Sequence, residues 1–195
     1  MSRPRLDDKR ERILDAAVVE IARHGYYHTT VAMIATRAGV ADGTIYLYFR
    51  GKEEVLVGLF ERAMASFIAE GRQLPAAGDA AQRMRELITL HLNLLGRDPD
   101  LAIVFQVELR HSLHFLDLFS RSRLREYLAA IAGIIAQGQR EGTFRADLDP
   151  LFTAKAIFGI LDEMATDWVL AKRNTRLAAR ADAIGDLVLR GMAAG

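Results

Sequence analysis

Cysteine is absent from the 195 residues. That excludes a disulfide framework, thiolate zinc sites and a cysteine nucleophile. No apolar run approaches the roughly 18–20 residues that span a bilayer. The N-terminus, Met1-Ser2-Arg3-Pro4-Arg5-Leu6-Asp7-Asp8, is basic but lacks the apolar core of a signal peptide. A large excess of one charge is missing too: 26 Lys and Arg face 25 Asp and Glu, a net +1. This balance excludes a histone-like polycation and an acidic solvating tail. Strand-like alternation, internal repeats and low-complexity tracts are also lacking. With 51% hydrophobic and 26% charged residues, the composition is that of an ordinary globular chain. The expectation is a soluble cytoplasmic protein with no membrane partner.

What is present is helical periodicity from end to end. Ile13, Leu14, Ala17, Val18, Ile21 and Ala22 form one apolar stripe, which Gly25 stops as a left-handed cap would. Thr29 or Thr30 can cap the next helix, whose apolar face is Val31, Ile34, Ala35 and Ala38. Gly39 ends it. Asp42 can cap a third short helix running through Phe49. Gly51 breaks the pattern, and Lys52 opens a long stripe from Val55 to Ile68.

Gly71, Pro75 and Gly78 mark a linker. A fifth helix carries Met84, Leu87, Ile88, His91, Leu92 and Leu95 and stops at Gly96-Arg97-Asp98-Pro99. Leu101 to Val107 reads as a buried helix. Further helices are expected from about Leu113 to Gln139, from Pro150 (capped by Asp149) to Leu170, and from about Thr175 to Met192. The fold class is therefore all-α, with about nine helices.

The stretch Thr30 to Lys52 has the form of a helix-turn-helix: two short helices joined by Ala38-Gly39-Val40-Ala41. Gly39 can take the turn conformation that a side chain resists. Val40 and Ile45 can anchor the second helix. Gly43 and Thr44 are small, so its N-terminus can approach a duplex, where backbone N–H groups favour a phosphate. Thr44, Tyr46 and Tyr48 offer hydroxyls to phosphate or base edges. Lys52 is placed to neutralise a phosphate, and Phe49 reads as core. The expected DNA-contacting set is Thr30, Gly43, Thr44, Tyr46, Tyr48 and Lys52. Residues 1–52 carry 9 basic and 6 acidic side chains, against 17 and 19 in residues 53–195, which permits nucleic-acid contact at the front.

Residues 10–60 resemble the DNA-binding domain of TetR-family transcriptional repressors. The matching pieces are Arg12-Ile13-Leu14-Asp15-Ala16-Ala17, Gly25-Tyr26, Thr29-Thr30, Ile34-Ala35, Ala38-Gly39-Val40, Gly43 to Phe49 and Lys52-Glu53-Glu54-Val55-Leu56. The resemblance implies a homodimer placing two recognition helices in successive major grooves of a palindromic double-stranded operator, about 34–36 Å apart or a multiple. The family often has histidine just before the recognition-helix Phe. Tyr48 stands there, keeping a hydroxyl but losing a titratable contact. The implied organisation is a DNA-binding domain at 1–52 and a helical ligand-binding and dimerisation domain at 53–195.

In the rear half, Leu101 to Arg110 and Ile157 to Val169 resemble the FadR-type branch of Bacillus and Thermus. That likeness implies repression of fatty-acid degradation genes, released by long-chain acyl-CoA. An acyl chain needs a dry tunnel, and the rear helices supply candidates in Leu87, His91, Leu94, Leu95, Val104, Phe105, Leu109, Phe115, Ile131, Phe158 and Trp168. Each buried CH₂ contributes about 0.8 kcal/mol. For the CoA phosphates, Arg110, His111, His114, Arg121, Arg123 and Arg125 cluster against only Asp117, and Arg forks suit phosphate oxygens. Plain core packing competes at every apolar position, and a solvated face at the cluster.

Rival chemistry is weaker. Ser112 with His111, His114 and Asp117 shows no oxyanion-hole loop, so no enzyme is expected. His91, His111 and His114 with Asp117 lack a clear metal geometry, and no metal or cofactor is expected beyond the effector. Asp162, Glu163 and Asp167 fit a cavity or dimer face, a helix surface, or internal hydrogen bonds. By likeness to the family, Phe158, Leu161, Ala165 and Trp168 on one helix and Ile184, Leu187, Val188 and Met192 on the other would pair with their symmetry mates as a four-helix dimer bundle. Burial inside the monomer competes there. The long fourth helix joins the two halves and would carry the switch. A different lipophilic effector controlling efflux is the alternative within the family.

Overall fold

The computed structural model describes residues 6–73, 78–108, 123–172 and 175–194. Among them are nine α-helices. The fold begins with α1 (Leu6–His24), whose Ile13, Leu14, Ala17 and Ile21 are wholly buried. Gly25, at φ +77°, ends it. The hydroxyl of Thr29 closes the following turn by donating to the carbonyls of Gly25 (2.9 Å) and Glu20 (3.1 Å). Thr30 then caps α2 (Val31–Ala38), its hydroxyl accepting from Met33 N–H at 3.2 Å.

Gly39 lies in the left-handed region at φ +63°, and any Cβ there would meet the Arg12 guanidinium at 3.0 Å. That guanidinium donates to the carbonyls of Ala38 and Gly39, so α1 is stapled to the corner of the motif. Next comes α3, only Asp42–Ile45, with Ala41 as its N-cap. Asp42 is thus not the cap but sits inside the first turn, and no side chain caps this helix. The coil continues as tight turns, with Tyr48 N–H on Ile45 O (3.0 Å) and Phe49 N–H on Ile45 O (2.9 Å).

From there α4 (Lys52–Arg72) runs the length of the molecule. Its front buries Val55 and Leu56 and its rear buries Phe67 and Ile68. Asp79 caps α5 (Ala80–Arg97), accepting from Gln82 N–H at 2.7 Å. Asp98 caps α6 (Pro99–Ile103), with Pro99 in the first turn where its missing N–H costs nothing. The coil then widens into a π-helical turn, Val104–Glu108. Buried Gln106 anchors that turn, donating to Asp162 Oδ1 (3.0 Å) and accepting from Thr166 Oγ1 (2.8 Å). Asp162 therefore serves an internal hydrogen bond.

After α7 (Arg123–Arg140) come α8 (Pro150–Leu170), capped by Asp149, and α9 (Ala181–Met192). The last segment starts later than its periodicity suggests, because Leu177–Arg180 forms a 3₁₀ turn. A short antiparallel bridge of Phe144 with Ala193 ties the chain's last turns to the α7–α8 corner. Phe144 packs so closely on Gly138 that a Cβ there would lie 2.1 Å from its ring.

One continuous apolar core runs through both halves. In front, α1 packs on α2, α4, α6 and the π turn. Behind, α5 lies among α4, α7, α8 and α9, and α7 pairs with α8. The reading end therefore meets the rear through α6 and the π turn as well as through α4. Phe60 of α4 and Phe105 of the π turn touch, with ring centroids 5.5 Å apart.

Candidate nucleic-acid interface and ligand cavity

The short α3 and the turns that carry it on to Phe49 divide into an inner and an outer face. Ile45 and Phe49 point into the core, at 0% and 3% exposure. Tyr46 and Leu47 stand out at 58% and 80%. Gly43 is exposed, with open space where a Cβ would be, and Thr44 and Tyr48 are half-buried. A surface with Gly43, Tyr46 and Leu47 outermost can press against a duplex. The anchored Ile45 and Phe49 fix its orientation.

Two of the expected contacts have structural work of their own. The exposed Thr30 accepts the α2 cap hydrogen bond from Met33 N–H, which leaves its own O–H free to donate. Lys52 corrects its assignment as a free phosphate contact. An ammonium has three N–H donors, and those of Lys52 go to the carbonyls of Tyr26, Tyr27 (3.3 Å) and Thr29 (2.7 Å). The charge also sits 4.3 Å from the centre of the Tyr26 ring. Partial burial lowers its pKa from the usual lysine value. The side chain thus clips the turn before α2 to the start of α4.

In the rear half, α4, α5 and α7 enclose a cavity of about 520 Å³. That lies within the roughly 300–1,000 Å³ usual for small-molecule sites. Its buried wall is Phe67, Ile68, Leu87, His91, Tyr127 and Ile134, with Leu90 beside them. Its outer edge carries Arg72, Arg83 and Arg140, with Glu126 as the one carboxylate. Arg72 pairs with Glu126 at 2.7 Å, and Arg83 donates to Gln137.

One polar pair lies in the buried wall. His91 Nδ1 and the Tyr127 hydroxyl are 2.7 Å apart. Burial pushes the imidazole down to about 4, so it is neutral at ordinary pH, and pushes the phenol up from its usual value. Phe67, at a centroid distance of 5.0 Å, and Phe158, at 6.1 Å, pack around the imidazole.

Of the residues expected to line a ligand site, Leu87 and His91 do so. Leu95, Val104, Ile131 and Trp168 are buried in the core and are not among the residues that line this cavity. Leu94, Phe105 and Phe158 are half-buried against that core, Phe158 serving as backing for the His91–Tyr127 pair. Arg125 is exposed on α7 and turned away from the cavity, since Glu126, Tyr127 and Ala130 take the facing positions. Leu109, Arg110, Phe115 and Arg121, together with His111, Ser112, His114 and Asp117, lie outside the described residues. The arginines that do reach the cavity come from three different helices, so no local cluster in the sequence reveals them.

The residues expected at a dimer face differ in exposure. Leu161, Ala165, Ile184 and Val188 are at most 6% exposed within the monomer, where they pack into its own core. Phe158 is half-buried, and Leu187 is open at 65%. The expected set thus mixes buried and open positions of the same two helices.

Residues 13–59 match the family model described as bacterial regulatory proteins of the tetR family, and residues 60–191 match that of the YsiA-like protein C-terminal region. The chain belongs to the TetR family. It is a transcription regulator, not an enzyme. The two models meet inside α4, which this TetR-family chain uses as the shared beam of both halves.

Among its relatives is the fatty acid metabolism regulator protein of Bacillus subtilis, 38% identical over 93% of this chain and 94% of that one. Two solved structures are similar throughout. The fatty acid degradation regulator FadR of Bacillus halodurans has a TM-score of 0.90 and 38% identity over 98% of both chains. FadR of Bacillus subtilis, in complex with stearoyl-CoA, has a TM-score of 0.88 and 37% identity over 93% of this chain and 98% of that one. No helix among the described residues is long and apolar enough to cross a membrane.

Proposed function

We propose that this regulator is a cytoplasmic homodimeric repressor of fatty-acid metabolism genes, released from a palindromic operator by long-chain acyl-CoA. The observation that carries this reading is the cavity between α4, α5 and α7. It joins an apolar wall to an edge of three arginines. The wall suits a hydrocarbon chain, and arginine forks suit the phosphates of CoA. The stearoyl-CoA complex of the similar Bacillus subtilis regulator supports the same ligand class.

Each protomer presents α3, with Gly43, Thr44, Tyr46 and Tyr48, to one major groove. Dimer half-sites are then about 34–36 Å apart or a multiple. The exposed apolar side chains Phe152 of α8 and Leu187 of α9 are suited to pairing with a second copy.

The cavity touches the rear of α4 at Phe67, Ile68, Gly71 and Arg72. The same helix begins beside the reading head. A guest that favours a different setting of α4 changes the separation of the two heads. Only its differential affinity for the two settings does so. A 100-fold loss of operator affinity corresponds to about 2.7 kcal/mol of coupling.

The test is fluorescence anisotropy with labelled operator DNA selected from a random library. Palmitoyl-CoA should release the protein, while CoA and palmitate at the same concentration should not. Equal release by palmitate would replace acyl-CoA with the free acid, and no release by either would end the lipid reading.

A further inference from the structure

The buried wall of the cavity holds a hydrogen-bonding group that the fold itself does not use. His91 is 4% exposed and faces the cavity. Its Nδ1 is engaged by the Tyr127 hydroxyl at 2.7 Å. Its Nε2 has no partner among the described residues, nor is it sealed away. The one fully enclosed side-chain polar atom without a partner there is Glu86 Oε2. Nε2 therefore keeps some open surface, on a residue that lines the cavity.

The pairing also favours one placement of the proton on the ring. Nδ1 is the one partner of the Tyr127 hydroxyl among the described residues. If Nδ1 held the hydrogen, the buried phenol proton would have no acceptor, which is costly away from water. With the phenol donating to Nδ1, both groups are satisfied and the hydrogen sits on Nε2. A neutral imidazole has one donor and one acceptor. Here the acceptor is turned to the protein and the donor to the guest. The low pKa of the imidazole, a consequence of burial, keeps it in this neutral form.

We infer that His91, held in one tautomer by Tyr127, donates a hydrogen bond from Nε2 to the carbonyl oxygen at the head of the effector's acyl chain. This rests on the acyl-ligand reading above and gives it a residue that reads the head group. An apolar wall measures hydrocarbon but cannot tell an acyl chain from an alkyl chain. A single buried donor can, because a guest lacking the oxygen leaves the N–H unpaired. The carbonyl belongs either to a thioester or to a free acid, and the ligands below separate the two.

The experiment is calorimetric titration of the full-length protein with palmitoyl-CoA, with its S-hexadecyl thioether (the same chain without the carbonyl), and with palmitate. The wild type should bind the thioester roughly tenfold more tightly than the thioether. In His91→Phe, which keeps a ring in the aromatic cluster, the ratio should collapse to near one, with thioether affinity unchanged within about twofold. His91→Gln, which restores an N–H, should recover most of the ratio. If His91→Phe does not fold, Tyr127→Phe gives the same readout, because the tautomer is no longer imposed and the ratio should fall.

A wild type that binds both CoA compounds equally would overturn the contact and leave the acyl-CoA reading standing. So would equal weakening of both by His91→Phe, which is what a packing role produces. A wild type that binds palmitate alone, with a His91→Phe penalty, would overturn the acyl-CoA reading and keep the carbonyl contact. Binding of none of the three would overturn both.

Discussion

In the reading head, two cationic side chains end on backbone carbonyls: Arg12 on Ala38 and Gly39, Lys52 on Tyr26, Tyr27 and Thr29. In the sensing half, Arg72, Arg83 and Arg140 end at the edge of a hollow whose interior holds one neutral imidazole. The difference follows from what each part must do. A recognition helix of four residues has little stability of its own, since helices that short do not persist alone. Its shape is imposed by caps, a left-handed corner and side chains clamped on carbonyls. A guest site needs the reverse, namely space left unfilled, with charged side chains at its edge, of which Arg72 and Arg83 are partnered by other side chains.

The largest expected effect tests the neutrality of the sensing interior. Folded His91 titrates near 4, whereas an unfolded histidine titrates near 6.5. Between those values the unfolded state binds more protons, so stability rises with pH. The contribution is complete above about pH 6.5 and is lost as pH falls toward 4, by up to about 3 kcal/mol. Urea unfolding of wild type and His91→Phe across that range should show a steeper fall in the wild type. Parallel curves would mean that the imidazole is not held neutral.

A smaller effect tests whether the rear is close-packed around its cavity. Gly138→Ala places a Cβ 2.1 Å from the buried Phe144 ring. The ring must move, and overpacking of this kind costs about 1–3 kcal/mol. Chemical denaturation should show that loss, while operator affinity measured well below the unfolding temperature should be retained. An unchanged midpoint would show that the α7–α8 corner yields easily.

The smallest effect sharpens the contrast in the use of charge. Lys52→Ala should lower the melting temperature and weaken operator binding by loosening the 26–29 turn. The slope of log affinity against log salt should stay nearly constant, because no phosphate contact is removed. A decrease of about 0.9 in that slope would return Lys52 to the DNA backbone.

The head was largely legible in the sequence because its determinants are local. Gly25, Gly39 and Thr30 act within a few residues of where they stand, and Ile45 and Phe49 fall on one side of a short coil. The exception is Asp42, a good capping residue one position too late, since the chain enters α3 at Ala41.

The cavity was not legible, for a physical reason. Its wall is drawn from residues 67 to 140 on three helices. Apolar spacing reports that a side chain is buried, not whether what it faces is protein or empty space. Leu87 and Ile131 have the same pattern, yet one borders the hollow and the other is core. The arginine edge was hidden in the same way, because Arg72, Arg83 and Arg140 become neighbours only when α4, α5 and α7 pack. The expected dimer stripe mixes buried and open positions because two apolar faces on one helix look alike until the monomer's own packing claims one of them.

The Arg12 staple limits how specificity could be exchanged between relatives. The corner of the motif is propped from α1, and the turn ahead of it is tied to the first residue of α4. A graft of residues 30 to 50 alone would leave both props behind and arrive in its new host as a loose loop. The smallest transplantable cassette is the whole block from about residue 10 to residue 60, which travels with its own braces.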